Sequence, residues 1–220
     1  MYKKIIPFIN CENEPSKSII KAGIRYDHLG ADQLFLYNYS FDEESKADFL
    51  NTVRKLIKQV DIPVIIGSYV ENFEDIKKAL YTGAKNIVIK DSLCKNFDLI
   101  KEGAERFGYD KIILEIEDYK KIYNEEFVKD MKETGVSAFL LKHIEVSKEF
   151  IQVVENLTIP VIIRDSLKKN DLYDLIQYKN IIGISTNFFY NKEILKAKLA
   201  LEEKGIPVYL APGICGMCTN

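Results

Sequence analysis

The sequence predicts an α/β protein, a compact (β/α)8 (TIM) barrel built from two (βα)4 half-barrels, and three observations carry that prediction. Short apolar, β-branched runs alternate with longer amphipathic segments along the whole chain, the order that selects a parallel sheet covered by helices. Glycines stand where helical segments hand over to strands, as in Leu29-Gly30-Ala31, Thr82-Gly83-Ala84, Thr134-Gly135-Val136 and Lys204-Gly205-Ile206; a left-handed residue ends a helix there. The third observation is an internal repeat. Ile62-Pro-Val-Ile-Ile66 returns as Ile159-Pro-Val-Ile-Ile163, and Lys85-Asn-Ile87 returns as Lys179-Asn-Ile181. Each pentapeptide precedes a helix and then the Lys-Asn-Ile strand, so strands three and four correspond to strands seven and eight. That pattern favours two half-barrels over a doubly wound open sheet.

The strands are expected at Lys4–Ile9, Gln33–Tyr39, Pro63–Gly67, Asn86–Ile89, Lys111–Ile116, Ala138–Lys142, Pro160–Ile163 and Ile181–Thr186. Each is a near-continuous apolar run, as burial on both faces demands. A first helix falls within Pro15–Leu29. The clearest helix is Asp42–Gln59, where Ala47, Leu50, Val53, Leu56 and Ile57 recur at helical spacing. Others are expected at Asn72–Tyr81, Asn96–Phe107, Tyr119–Thr134, Ser147–Asn156, Lys169–Gln177 and Asn191–Glu203. The barrel is placed at residues 1–205 and a C-terminal tail at 206–220.

With 47% hydrophobic and 29% charged residues in 220, the chain is neither disordered nor collagenous. No apolar run approaches the roughly 18 residues needed to cross a bilayer, and the first ten residues lack a secretory signal. A cytoplasmic protein without a membrane partner is expected. Its 31 basic and 33 acidic residues are interspersed and sum to a net charge of −2, which offers no basis for nucleic-acid binding. Four cysteines are too few for a disulfide scaffold. Cys215 and Cys218 form a CxxC, the spacing of a redox pair or half a zinc site. No helix start accompanies it, and the histidines are His28 and His143 alone, so metal is the lesser reading and no cofactor is expected.

Several stretches carry a family resemblance: Lys3-Lys-Ile-Ile-Pro-Phe-Ile-Asn10, Gly30-Ala-Asp-Gln-Leu-Phe-Leu36, Asp61-Ile-Pro-Val-Ile-Ile-Gly67, Gly83-Ala-Lys-Asn-Ile-Val-Ile89, Gly135-Val-Ser-Ala-Phe-Leu-Leu141 and Gly205-Ile-Pro-Val208. In register through almost the whole chain, they resemble the histidine-biosynthesis barrels, that is, the cyclase subunit of imidazole glycerol phosphate synthase and phosphoribosylformimino-AICAR ribotide isomerase. The resemblance implies a phosphoribosyl ligand, with an Asp at the end of strand one and another at the end of strand five as acid and base. Those positions hold Asn10 and Glu117, and an amide cannot exchange a proton at ordinary pH. It also implies phosphate sites in the turns after strands three, four, seven and eight. They map to Gly67 and Ser68, to Lys90 beside Asp91, to Arg164 and Ser166 flanking Asp165, and to Ser185 and Thr186. Tyr69 adds bulk after strand three. The loop Cys11-Glu-Asn-Glu-Pro15 is shorter than the family's lid, and the cyclase's ring of charges at the opposite end becomes Lys4, Gln33, Asn86 and Ala138.

Two further readings rest on the residues themselves. His143 closes strand six at the functional rim, either as a base near neutral pH or as a rim histidine without a role. Glu115 and Glu117 share a face of strand five, so an inward Glu115 needs a partner such as Lys4 or Lys142. Phe188-Phe189-Tyr190, after strand eight, reads as a cap on the core, with a partner surface as the alternative. The function expected is a histidine-biosynthesis-type barrel with an altered, lost catalytic site. It would be a domain of, or partner to, other histidine-biosynthesis domains, such as one carrying phosphoribosyl-AMP cyclohydrolase. The alternative is an active isomerase, cyclase or lyase on a phosphorylated ribose compound using Glu117.

Overall fold

The computed structural model describes residues 2–94, 96–164, 174–187 and 193–210. Eight parallel strands close into one barrel in chain order: β1 (Lys4–Asn10), β2 (Leu34–Asn38), β3 (Val64–Ser68), β4 (Asn86–Lys90), β5 (Ile112–Ile116), β6 (Ala138–Lys142), β7 (Val161–Arg164) and β8 (Ile181–Thr186). Every boundary lies within one residue of the sequence expectation. Pairing of Lys4–Pro7 with Gly183–Thr186 brings β8 back to β1 and abolishes sheet edges. Around the barrel lie α1 (Ser16–His28), α2 (Glu43–Ile57), α3 (Phe73–Leu80), α4 (Asp98–Phe107), α5 (Glu125–Glu133), α6 (Lys148–Asn156) and α7 (Glu193–Glu203).

The pleat sorts each strand's apolar residues into two layers. Ile6, Phe8, Phe35, Ile65, Val88, Ile113, Leu140 and Ile162 point inward and fill the barrel; Ile5, Leu34, Leu36, Ile66, Ile87 and Leu114 point outward under the helices. The glycines expected to release helices all carry positive φ. Gly135 is doubly constrained: φ is +91°, and a Cβ there would come 2.6 Å from the Ala104 Cβ.

Two expectations are corrected. The segment Tyr119–Thr134 is not one helix but a 3-10 turn at Tyr119–Tyr123 followed by α5. Asn124 makes the break: its backbone is extended and its side chain accepts the Phe127 N–H, so it caps a new helix. Asn96 likewise stands ahead of α4, where its side chain accepts the Asp98 N–H. Most of the expected helix at Lys169–Gln177, together with Phe188-Phe189-Tyr190, Cys215 and Cys218, lies outside the described residues.

At the barrel's N-terminal end, lysines tie the seam. The Lys3 amine donates to the carbonyls of Tyr178 and Ile181 at 2.7 and 2.6 Å, and Lys198 joins Asp32 at 2.6 Å. Lys4, Gln33, Asn86 and Ala138 occupy this end as expected. Gln33 and Ala138 are buried, Asn86 donates to the Asp110 carbonyl, and burial depresses the Lys4 pKa.

Candidate functional site

The C-terminal mouth is built by strand alternation. On β2 the inward positions are Phe35 and Tyr37, and the period carries on to Tyr39 just past the strand; on β5 they are Ile113 and Glu115, then Glu117. Register sets Lys90 beside Glu115, Lys142 beside Arg164, and Arg164 beside Ser185. Aromatic rings from β1 and β2 therefore face charged side chains from β4 to β7.

Glu115, 1% exposed, is the centre of this arrangement. The Tyr39 hydroxyl donates to its Oε2 at 3.0 Å, Arg164 Nη1 lies 3.5 Å from the same oxygen, and Lys142 Nζ lies 3.4 Å from Oε1. Lys142, not Lys4, is thus the partner. The Arg164 guanidinium also packs over the rings of Phe8, Phe35 and Tyr37, with 5.0 Å to the Tyr37 centroid, an attraction between cation and ring quadrupole. Lys90 Nζ sits 3.8 Å from the Tyr39 ring centroid. Burial, with the Glu115 charge beside it, raises the Tyr39 pKa far above the phenolic range, so its proton stays in place. Burial lowers the Lys90 pKa, and the nearby Lys142 and Arg164 charges lower it further, while Glu115 opposes them.

Glu117 stands on the rim with 57% of its side chain exposed, 4.0 Å from Lys142 Nζ. A hydrogen bond from Ser92, with the charges of Lys142, Lys90 and Lys121, holds its carboxyl below the usual range. It is a carboxylate at neutral pH and carries no proton to give. Asp91, buried beneath, accepts the Glu117 N–H at 3.0 Å and pairs with Lys121 at 2.6 Å, which fixes the chain at this end of β5. Asn10, across the mouth, is turned into its own loop: its side-chain oxygen accepts the Glu12 N–H at 2.9 Å. Among the described residues no hydrogen bond joins Asn10 to Glu117.

The expected phosphate positions are not gathered into one cradle. At Gly67 an added Cβ would meet the Tyr39 hydroxyl oxygen at 2.5 Å, so the missing side chain admits the Tyr39 ring. Ser68 is buried and borders a groove between α2 and α3. Tyr69, expected to crowd the turn after β3, is drawn the same way, 4.4 Å from the Phe41 ring and beneath Lys46. Ser185 is buried in the barrel, where its hydroxyl has no hydrogen bond among the described residues, and borders a cavity of about 10 Å³, at most one water. Thr186 is buried too. His143 is exposed, with φ of 51°, and Ser166 lies outside the described residues. Among the described residues no group of three His, Cys, Asp or Glu side chains gathers to hold a metal. Burial pushes the Cys11 thiol up to about 12, which makes it inert. The groups not anticipated are Tyr37, Tyr39 and Asp91. Alternation in Phe35-x-Tyr37-x-Tyr39 was the available signal for the first two.

A closed (β/α)8 barrel whose titratable groups converge at the C-terminal ends of the strands has the layout on which small-molecule enzymes of this fold are built. The family described as "Histidine biosynthesis protein" matches residues 10–163, and the chain belongs to that family. Imidazole glycerol phosphate synthase subunit HisF of Helicobacter hepaticus is 26% identical over 84% of each chain. The same subunit of Natranaerobius thermophilus is 28% identical over 84% of this chain and 85% of its own. Among solved structures, dihydropteroate synthase of Xanthomonas albilineans superposes with a TM-score of 0.67 over 94% of both chains at 13% identity, a likeness of fold alone. No helix of the described residues is long and apolar enough to cross a membrane.

Proposed function

We propose that this barrel has given up the proton relay between the ends of β1 and β5 and holds a small anionic, phosphoribosyl-type ligand at its mouth. It would do so as a domain of, or partner to, other histidine-biosynthesis proteins, one carrying phosphoribosyl-AMP cyclohydrolase among them. The observation that carries the reading is the fate of the two relay positions. Asn10 has no titratable proton and spends its side-chain oxygen on its own loop, so Glu117, a carboxylate that can accept a proton but has none to give, faces no acid across the mouth. Glu115, Tyr39, Lys142 and Arg164 meanwhile occupy the barrel axis below the rim. The cations Lys90, Lys142 and Arg164 supply the charge an anion needs. Titrating inorganic phosphate into the labelled chain tests the binding half by amide NMR. Shifts clustered at the ends of β4, β6, β7 and β8, abolished by Lys142→Ala, are expected; shifts scattered over the surface contradict it.

A second reading, an active enzyme on a phosphorylated ribose compound, is favoured by one observation. Lys142 lies between Glu115 and Glu117, and that triad can move a proton once a ligand displaces an ion pair. On this reading Glu117→Gln abolishes turnover of such a compound, while on the first there is no turnover to lose.

A further inference from the structure

We infer that Lys90 is an amine nucleophile that captures the carbonyl carbon of a small anionic aldehyde or ketone as an imine at the mouth of the barrel. The inference rests on the anion-holding reading above. It begins with a division of labour among three cations. Lys142 and Arg164 both lie against Glu115 and answer its charge. The Lys90 amine has no hydrogen bond or ion pair among the described residues. A lysine retained only to balance charge would sit on the carboxylate, but this one is held over a ring face, 3.8 Å from the Tyr39 centroid. The ring confines its flexible stem, and Gly67 in turn makes room for the ring.

The surroundings favour the free amine. The side chain is half-buried among Tyr39, Glu115, Lys142 and Arg164, with Glu12 nearby, and the sum of burial and like charges lowers its pKa. Desolvation and a neighbouring cation are the two ordinary ways to activate a lysine amine. Lys142, which lies between Glu115 and the rim carboxylate Glu117, would turn from that pairing to the ligand's carboxylate or phosphate as the ligand binds.

The step balances without a redox partner. The neutral amine's lone pair attacks the carbonyl carbon as the C–O π bond breaks, and the oxygen takes a proton from water or a neighbouring ammonium. The attacking nitrogen sheds a proton, the carbinolamine hydroxyl takes one up, and the nitrogen lone pair forms C=N as the hydroxyl leaves as water. A protonated lysine and a carbonyl compound thus give a protonated imine and one water, with no net proton exchanged.

Sodium cyanoborohydride, which reduces the imine to a stable secondary amine, tests this on the full chain. Glyoxylate and glyceraldehyde 3-phosphate are the anionic probes, distinguishing a carboxylate from a phosphate ligand, and propanal is the neutral control. We expect one adduct, mapped by mass spectrometry to the peptide bearing Lys90. Labelling should be faster than at surface lysines, since a lowered pKa leaves more of the amine unprotonated and nucleophilic. Lys90→Arg keeps a cation over Tyr39 and should remove the adduct while the circular dichroism spectrum is unchanged. Adducts spread over surface lysines, or undiminished in Lys90→Arg, overturn the inference, and propanal labelling Lys90 as fast as the charged probes overturns the anionic ligand. If phosphate still shifts the mouth's resonances while Lys90 stays unlabelled, the inference fails and the anion-holding reading stands.

Discussion

Glu115 shows why a buried charge in this barrel is tolerated. A lone ionised carboxylate off water is costly, and here it is met by Tyr39, Lys142 and Arg164 together. Glu115→Gln keeps the shape but removes the buried charge that Lys142 and Arg164 both face, so a loss of about 3–5 kcal/mol is expected from urea denaturation. Gly67→Ala drives a methyl into Tyr39 and should cost about 1–3 kcal/mol by overpacking. Adding Tyr39→Phe removes the nearest atom and should restore part of that loss, whereas an unchanged denaturation midpoint in Gly67→Ala would deny the contact. Lys90 gives a pH signature with a definite sign. Its folded pKa is depressed below 10.5, so the unfolded chain binds the extra proton, and stability contributed by this group rises as pH climbs from the folded pKa toward 10.5. Lys90→Met should flatten that alkaline rise in denaturation midpoints; an identical rise in the variant contradicts the assignment. Sequence alternation reached Glu115 and its partner Lys142. It did not reach Arg164's contacts or the Tyr39 ring, because those depend on which strands face each other across the closed barrel.

At the scale of elements, strands were legible because residues buried on both faces leave unbroken apolar runs, and barrel closure adds nothing that a run such as Ile87–Ile89 does not already encode. Helix ends were less legible wherever a polar side chain competes for the backbone. Periodicity runs on through Ile122, Val128 and Met131, all buried, yet Asn124 starts a fresh helix between them. Asn124→Ala should cost about 1 kcal/mol and shift amide exchange chiefly in residues 125–128; no change there would mean that tertiary packing alone sets the break. The end of β5 depends on Asp91, which holds both the Glu117 N–H and Lys121. Nothing in the sequence spacing links these three, since Asp91 and Glu117 meet only because β4 and β5 are neighbours.

For the whole molecule, the duplicated Ile-Pro-Val-Ile-Ile and Lys-Asn-Ile segments fall at β3–β4 and at β7–β8, four strands apart in the closed ring. The family followed from matches spread over that ring. On the proposed reading the mouth is where this member departs from the chemistry the resemblance implies, because an amide at position 10 and a cation-bound carboxylate at position 115 leave the apolar pattern that specifies the fold unaltered. The most direct check is a turnover assay of the purified chain with phosphoribulosyl formimino-AICAR ribotide and excess free ammonia, which needs no ammonia-supplying partner, run beside its isomeric precursor. No conversion of either compound above the Glu117→Gln control is expected, whatever the protein concentration. Conversion that the wild-type chain performs and Glu117→Gln loses would contradict it, and would return the β5 carboxylate to proton transfer without an acid on β1.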